Sequence, residues 1–262
     1  MILIPGLACP GAVWDTTVAH FNARYECHVV SLAGFGGSPP NAGKNSFLAN
    51  VREELAVYIH QHKLDHPVIV GHSLGGFVAL DLAANHPDLP GRLVIVDSLP
   101  FLMGIMKPDA TAADARQAAE ASAHSFSQMN AETYAQMIRG GPNGSTMAAN
   151  RADLDQIIAW GLASDPATMG KAITELYSAD LRLALSRVKV PTLVFASWIG
   201  YAPYSSHAFA EKIYGDQYAG LKGVQLKITD TARHFIMLDD PDWLHAQMEK
   251  FLSPAPVVKL QL

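Results

Sequence analysis

Apolar residues follow two alternating rhythms over the first hundred positions. Short runs at Ile2 to Ile4, His28 to Leu32, Val68 to Val70 and Leu93 to Val96 are rich in β-branched residues and bounded by Gly, Pro or Asn, which predicts buried strands. Between them, Ala12 to Phe21 and Ser46 to His60 carry helical spacing, and in the second Phe47, Val51, Leu55 and Ile59 recur every four residues along one face. Such alternation predicts an α/β fold, a mostly parallel central sheet flanked by helices.

From about Phe101 to Asp180 the strand rhythm stops. Ala, Met, Gln and Glu dominate there, with helical periods around Ala110 to Met129, Ala131 to Ile138, Asp153 to Leu162 and Ala167 to Tyr177. Strand signals return at Thr192 to Phe195 and Val224 to Ile228. A last helix is marked by Asp240 at its N-cap, Pro241 in its first position and Trp243, Leu244, Gln247, Met248 and Phe251 beyond. The expected organisation is a core of residues 1–100 and 181–262 with an all-helical insertion over 101–180. The stretch from Ser253 to Leu262, with Pro254 and Pro256, carries no structural signal.

Composition narrows the partners. The chain of 262 residues holds 19 Lys and Arg against 24 Asp and Glu, a formal net charge of −5, and only 16% of residues are charged. Without a basic run there is no electrostatic footprint for nucleic acid. Cys9 and Cys27 are too few for a disulfide framework and lack metal-knuckle spacing. Apolar residues at the start run only from Ile2 to Ile4 before Pro5, so neither a signal peptide nor a membrane span is expected. The compartment is cytoplasmic by default, or exported if a leader has been trimmed. Oligomeric state is not legible.

The strongest chemical signal is Pro67-Val-Ile-Val-Gly71-His72-Ser73-Leu74-Gly75-Gly76-Phe77: an apolar strand, a Gly-x-Ser-x-Gly turn, then a helix-forming run through Leu82. In that context the turn is a nucleophile elbow, so sharp that side chains at Gly71 and Gly75 would collide with neighbouring elements. It raises the Ser73 hydroxyl above the sheet and aims the positive end of the next helix at the place where an oxyanion forms.

These residues resemble an α/β-hydrolase fold protein with a helical cap, and the likeness extends over nearly the whole chain outside the tail. Ile4-Pro5-Gly6-Leu7 resembles the oxyanion loop of that family, which implies Leu7 N–H as one oxyanion donor and Leu74 N–H as the other. Trp14 and Gly34-Phe35-Gly36-Gly37-Ser38 match as packing and turn elements. Of eleven histidines, His234 stands between the last strand and the last helix, where the family carries its general base. His60, His62 and His66 form no arrangement that fixes a metal, and neither metal nor cofactor is expected. The acid departs from the usual pattern, because the loop from Ala196 to Ser205 has no carboxylate. Some relatives, the haloalkane dehalogenases among them, place the acid one strand earlier, which points to Asp97 after Leu93 to Val96, with Asp230 as the alternative.

Six of nine methionines, Met103, Met106, Met129, Met137, Met147 and Met169, fall in the insertion and suggest an adaptable apolar ceiling. Phe101 and Trp198 are the candidate substrate contacts. Glu120 and Glu132 offer carboxylates to a substrate amine, though no arrangement demands one. The expected activity is a serine carboxylesterase acting on small to medium hydrophobic esters through an acyl-enzyme on Ser73. A lactonase, an aminopeptidase, a C–C hydrolase or a slow-turnover receptor of the same fold remain alternatives.

Overall fold

A computed structural model describes residues 1–41, 46–105, 107, 109–140 and 144–253; Met106 and the tail beyond 253 lie outside these. The strands β1 (Ile2–Ile4), β2 (His28–Val29), β3 (Val68–His72), β4 (Arg92–Val96), β5 (Thr192–Ser197) and β6 (Gln225–Thr229) form one sheet in the order β2-β1-β3-β4-β5-β6. Every pairing is parallel, with Leu3 opposite Val70, Val70 opposite Val94 and Val94 opposite Leu193. A parallel sheet of this kind must be covered on both faces. Accordingly β1 and β5 are buried from end to end and β3 and β4 beyond their half-buried first residues, Val68 and Arg92, unlike β6, whose Gln225 and Lys227 are exposed at the edge.

Alternation along the strands divides the core in two. Ile2, Ile4, Ile69, Leu93, Ile95, Val194 and Ala196 face one cluster, packed under α2 (Phe47–Gln61) and α3 (Leu74–Asn85). Leu3, Val70, Val94, Val96, Leu193 and Phe195 face the other, with Trp14 and Phe21 from one side and Leu244, Met248 and Phe251 of the last helix. The period of two thus places alternate residues of β4 in different cores.

Some elements differ in extent from the sequence expectation. Strand β2 ends at Val29, although Val30 N–H still donates to Leu3 O. The expected helix from Ala12 opens as a tight turn over Gly11–Trp14 before α1 (Asp15–Phe21). Between β4 and β5 the chain forms α4 (Ala112–Gln128), α5 (Ala131–Arg139), α6 (Arg151–Leu162) and α7 (Pro166–Ser178). Each starts at a side-chain cap, from Thr111, Asn130, Asn150 and Asp165 respectively. A further helix, α8 (His207–Tyr218), lies between β5 and β6, where the sequence analysis names no element. The short α9 (Ile236–Asp239) and α10 (Pro241–Leu252) close the chain, the latter capped by Asp240.

The helical insertion is fastened to the loops and helices around the sheet at more than one point. Asp165 N–H donates to Gly34 O (2.7 Å), Gly37 N–H to Ala163 O (3.1 Å) and Gly36 N–H to Ser164 Oγ (2.8 Å). On α7 the Glu175 carboxylate accepts from Phe47 and Leu48 N–H (2.8 and 2.9 Å), a negative charge at the positive end of α2. On the other side, His234 N–H donates to Thr146 O (3.1 Å) and Phe235 N–H to Met147 O (2.9 Å).

Candidate active site

Ser73 sits between β3 and α3 with φ +51° and ψ −119°, a conformation a serine adopts only under constraint. The constraint is local crowding. A Cβ on Gly71 would lie 2.2 Å from Gly75 O, and one on Gly75 would lie 2.4 Å from Ile4 O, so only glycines let the chain double back. Ser73 N–H donates to Val96 O (2.9 Å), which ties the elbow to the end of β4. Leu74 begins α3, and the tight approach of Gly75 to Ile4 and Pro5 brings the Leu7 turn beside it. Among the described residues neither the Leu7 N–H nor the Leu74 N–H has a hydrogen-bond partner.

Asp97 follows β4 with φ +46° and is buried. One carboxylate oxygen, Oδ2, lies 2.7 Å from His234 Nδ1 and accepts the Ser197 hydroxyl at 2.9 Å. The other, Oδ1, accepts Ser197 N–H at 2.7 Å and the Tyr214 hydroxyl at 2.8 Å. Four donors therefore hold a buried carboxylate in one orientation, and burial joins the Asp97 charge in pushing the Tyr214 phenol well above its ordinary value. The phenol stays a donor. With Nδ1 committed to Asp97, the free Nε2 of His234 is the nitrogen able to take a proton. The Ser73 hydroxyl makes no hydrogen bond to His234 among the described residues. Its neighbour His72 lies against the His234 ring, with centroids 4.6 Å apart.

Asp230 points elsewhere: it is exposed and accepts the Trp198 indole N–H at 2.9 Å. Trp198, expected at the substrate, is thereby engaged, its ring edge-on to His207. Phe101 is only 2% exposed; it packs with Met103 and Ala115, the Arg182 guanidinium lies 4.3 Å above its ring, and its backbone N–H and C=O are both bonded to Gln217. It packs at the root of the insertion. The described methionines of the insertion are dispersed. Met103 and Met169 are buried in different clusters, Met129 and Met147 border a third, and Met137 is 46% exposed. His62 packs on Tyr58, and His66 pairs with exposed Asp65, so that trio is spread out. A cleft of about 490 Å³ opens between β2, α2 and α7, but Ser73, Asp97 and His234 do not line it.

Sequence reasoning missed the groups that hold Asp97. On α8, Tyr214 and Tyr218 reach Asp97 and the Ser98 carbonyl (2.7 Å), while Gln217 holds Phe101. Ser206 as an N-cap, followed by Phe209, Ile213 and Gln217 at helical spacing, was the available signal. Tyr214→Phe is expected to lower kcat by roughly tenfold with KM little changed, because one of four donors to a buried carboxylate is lost. Steady-state kinetics on protein with an unaltered circular dichroism spectrum would check it, and an unchanged kcat would show the phenol to be dispensable.

Comparison with known proteins adds the family. A family model described as alpha/beta hydrolase fold matches residues 1–241. The chain belongs to the α/β hydrolase fold family. A pimeloyl-[acyl-carrier protein] methyl ester esterase of Aeromonas salmonicida (strain A449) is 30% identical over 221 residues, 82% of each chain. Among solved structures, MenH from S. aureus has a TM-score of 0.78 at 19% identity, covering 96% of this chain and 92% of that one. The enol-lactonase from Burkholderia xenovorans LB400 has a TM-score of 0.76 at 16% identity, covering 97% and 90%. At such identities these two speak to the α/β-hydrolase fold alone. No described helix is long and apolar enough to cross a membrane.

Proposed function

We propose that Ser73, Asp97 and His234 act as a nucleophile, acid and base triad, and that the protein cleaves small to medium hydrophobic carboxylic esters through an acyl-enzyme. That the chain is a carboxylic-ester hydrolase rests on its family and on the esterase relatives. The residue roles rest chiefly on one observation, the 2.7 Å contact between Asp97 Oδ2 and His234 Nδ1 beside the strained Ser73 elbow.

In this reading His234 Nε2 takes the Ser73 proton as Oγ attacks the ester carbonyl. Leu7 and Leu74 N–H groups hold the oxyanion, and the imidazolium then protonates the departing alcohol. Water, deprotonated by the same nitrogen, releases the acid and restores the serine. Asp97 fixes the tautomer throughout and stabilises the imidazolium. The Ser73 to His234 hydrogen bond forms once substrate is seated, as is common for catalytic contacts that tighten only in the complex.

Residues 1–100 and 181–262 form the catalytic core in this reading, and 101–180 a cap over the nucleophile. Because the insertion is fastened both at Gly34 to Gly37 and at His234, it bounds the acyl pocket instead of swinging free. Soluble esters of short to medium acyl length are therefore expected to be turned over with a higher kcat/KM than emulsified long-chain triglyceride. A panel of chromogenic esters of increasing acyl length measures this. Equal or better kcat/KM on the emulsion would remove the bounded pocket, and turnover of no ester would remove the esterase assignment.

A further inference from the structure

His72, the residue before the nucleophile, has no part in the proton transfers described above, yet it is 1% exposed and touches three parts of the site. Its ring lies 4.6 Å from that of His234 and 4.7 Å from that of Phe235, and Trp14 meets it edge-on at 6.5 Å. Its Nε2 is 3.1 Å from the His234 carbonyl oxygen. Its Nδ1 is buried without a partner, and a Cβ on Gly6 would come within 2.7 Å of that nitrogen, so the Leu7 turn runs along this edge.

We infer that His72 is a positioning residue, a neutral imidazole whose Nε2–H holds the main chain of His234 in place relative to Ser73. The inference rests on the Ser73–Asp97–His234 reading. A carbonyl oxygen only accepts, so Nε2 must carry the proton and Nδ1 must be bare. Burial, reinforced by the nearby His234, pushes the His72 imidazole well below its ordinary value, which keeps the ring uncharged where a second positive charge would oppose formation of the His234 imidazolium.

His234 is then held at three atoms by three different segments. Its ring Nδ1 is bound by Asp97, its N–H by Thr146 of the insertion and its C=O by His72 of the elbow. The first sets the tautomer and the ring plane; the other two set where the residue's backbone stands. Of the backbone contacts, only that from His72 comes from a side chain and is covalently next to the nucleophile, so any shift of the elbow carries the base with it. Misplacement of a reacting group by a fraction of an ångström to an ångström costs up to ~10²-fold in rate, which gives this contact leverage on kcat.

The test compares His72→Gln, which keeps an N–H donor near the Nε2 position, with His72→Met, which keeps volume and loses the donor. With thermal midpoints matched, His72→Met is expected to lower kcat roughly 10- to 100-fold with KM within about twofold, and the rate of organophosphate labelling to fall in parallel. His72→Gln is expected to recover most of that loss. A merely structural role would move both variants together with their stability and would not separate them by donor. Nitrogen NMR of the histidine rings in the unaltered protein supplies the second readout: His72 should show an Nε2–H, Nδ1-bare tautomer that does not titrate between about pH 5 and 8. Wild-type kcat in His72→Met, equal loss in both variants at equal stability, or an Nδ1–H or charged His72 would overturn the inference. Ser73→Ala, run alongside, separates the two levels: if it retains turnover, the triad reading itself is wrong, whereas its inactivity beside a fully active His72→Met removes only the role of His72.

Discussion

Replacing Ser73 by alanine is expected to abolish ester turnover, by roughly 10⁵- to 10⁶-fold in kcat, while leaving the fold intact. The strained elbow presents this hydroxyl at the start of α3, where the proposed reading has Leu7 and Leu74 N–H receive the oxyanion and His234 take the proton. Among the described residues, the other serines close to Asp97 are engaged otherwise. Ser197 is committed to Asp97, and Ser98 is buried with its carbonyl bonded to Tyr218. Steady-state kinetics beside circular dichroism measures the effect, and a chelator added to the unaltered enzyme should leave kcat unchanged. Wild-type rates in Ser73→Ala, or activity lost to the chelator and restored by zinc, would defeat the serine mechanism.

Asp97→Asn is expected to cost up to ~10⁴-fold in kcat with the fold preserved, because an amide facing Nδ1 favours the wrong tautomer and no longer balances the imidazolium. Asp230→Asn is expected to stay within about threefold of the parent, since that exposed carboxylate meets Trp198 and His207 and not the base. The two substitutions together decide the acid. A near-normal Asp97→Asn enzyme beside an inactive Asp230→Asn enzyme would reverse the assignment.

What could be read from the sequence was what is encoded locally. The elbow is a contiguous stretch whose glycines and flanking strand and helix announce it, and the ends of β4 and β6 follow from short apolar runs. The loop after β5 has no carboxylate, and Asp97 was indicated by its resemblance to relatives that carry the acid one strand earlier, with Asp230 left as the alternative. What escaped lies in contacts between distant segments. Tyr214 reaches Asp97 across 117 positions and His72 reaches His234 across 162, distances over which periodicity carries no information. Helix α8 was hidden because its buried stripe is made partly of Tyr and Gln, which read as polar in isolation. The Gln217 clamp and the Arg182 guanidinium that cover Phe101 likewise come from far along the chain. The methionines showed composition without place.

The most direct measurement of the central claim is mass spectrometry of the intact protein, rapidly quenched during turnover of a slowly deacylating chromogenic ester, with peptide mapping of any adduct. An acyl-enzyme mechanism predicts an added mass equal to the acyl group, borne on the peptide containing Ser73, and a burst of alcohol release close to one equivalent per active site. Steady turnover with no adduct, or an adduct on any other residue, would contradict it.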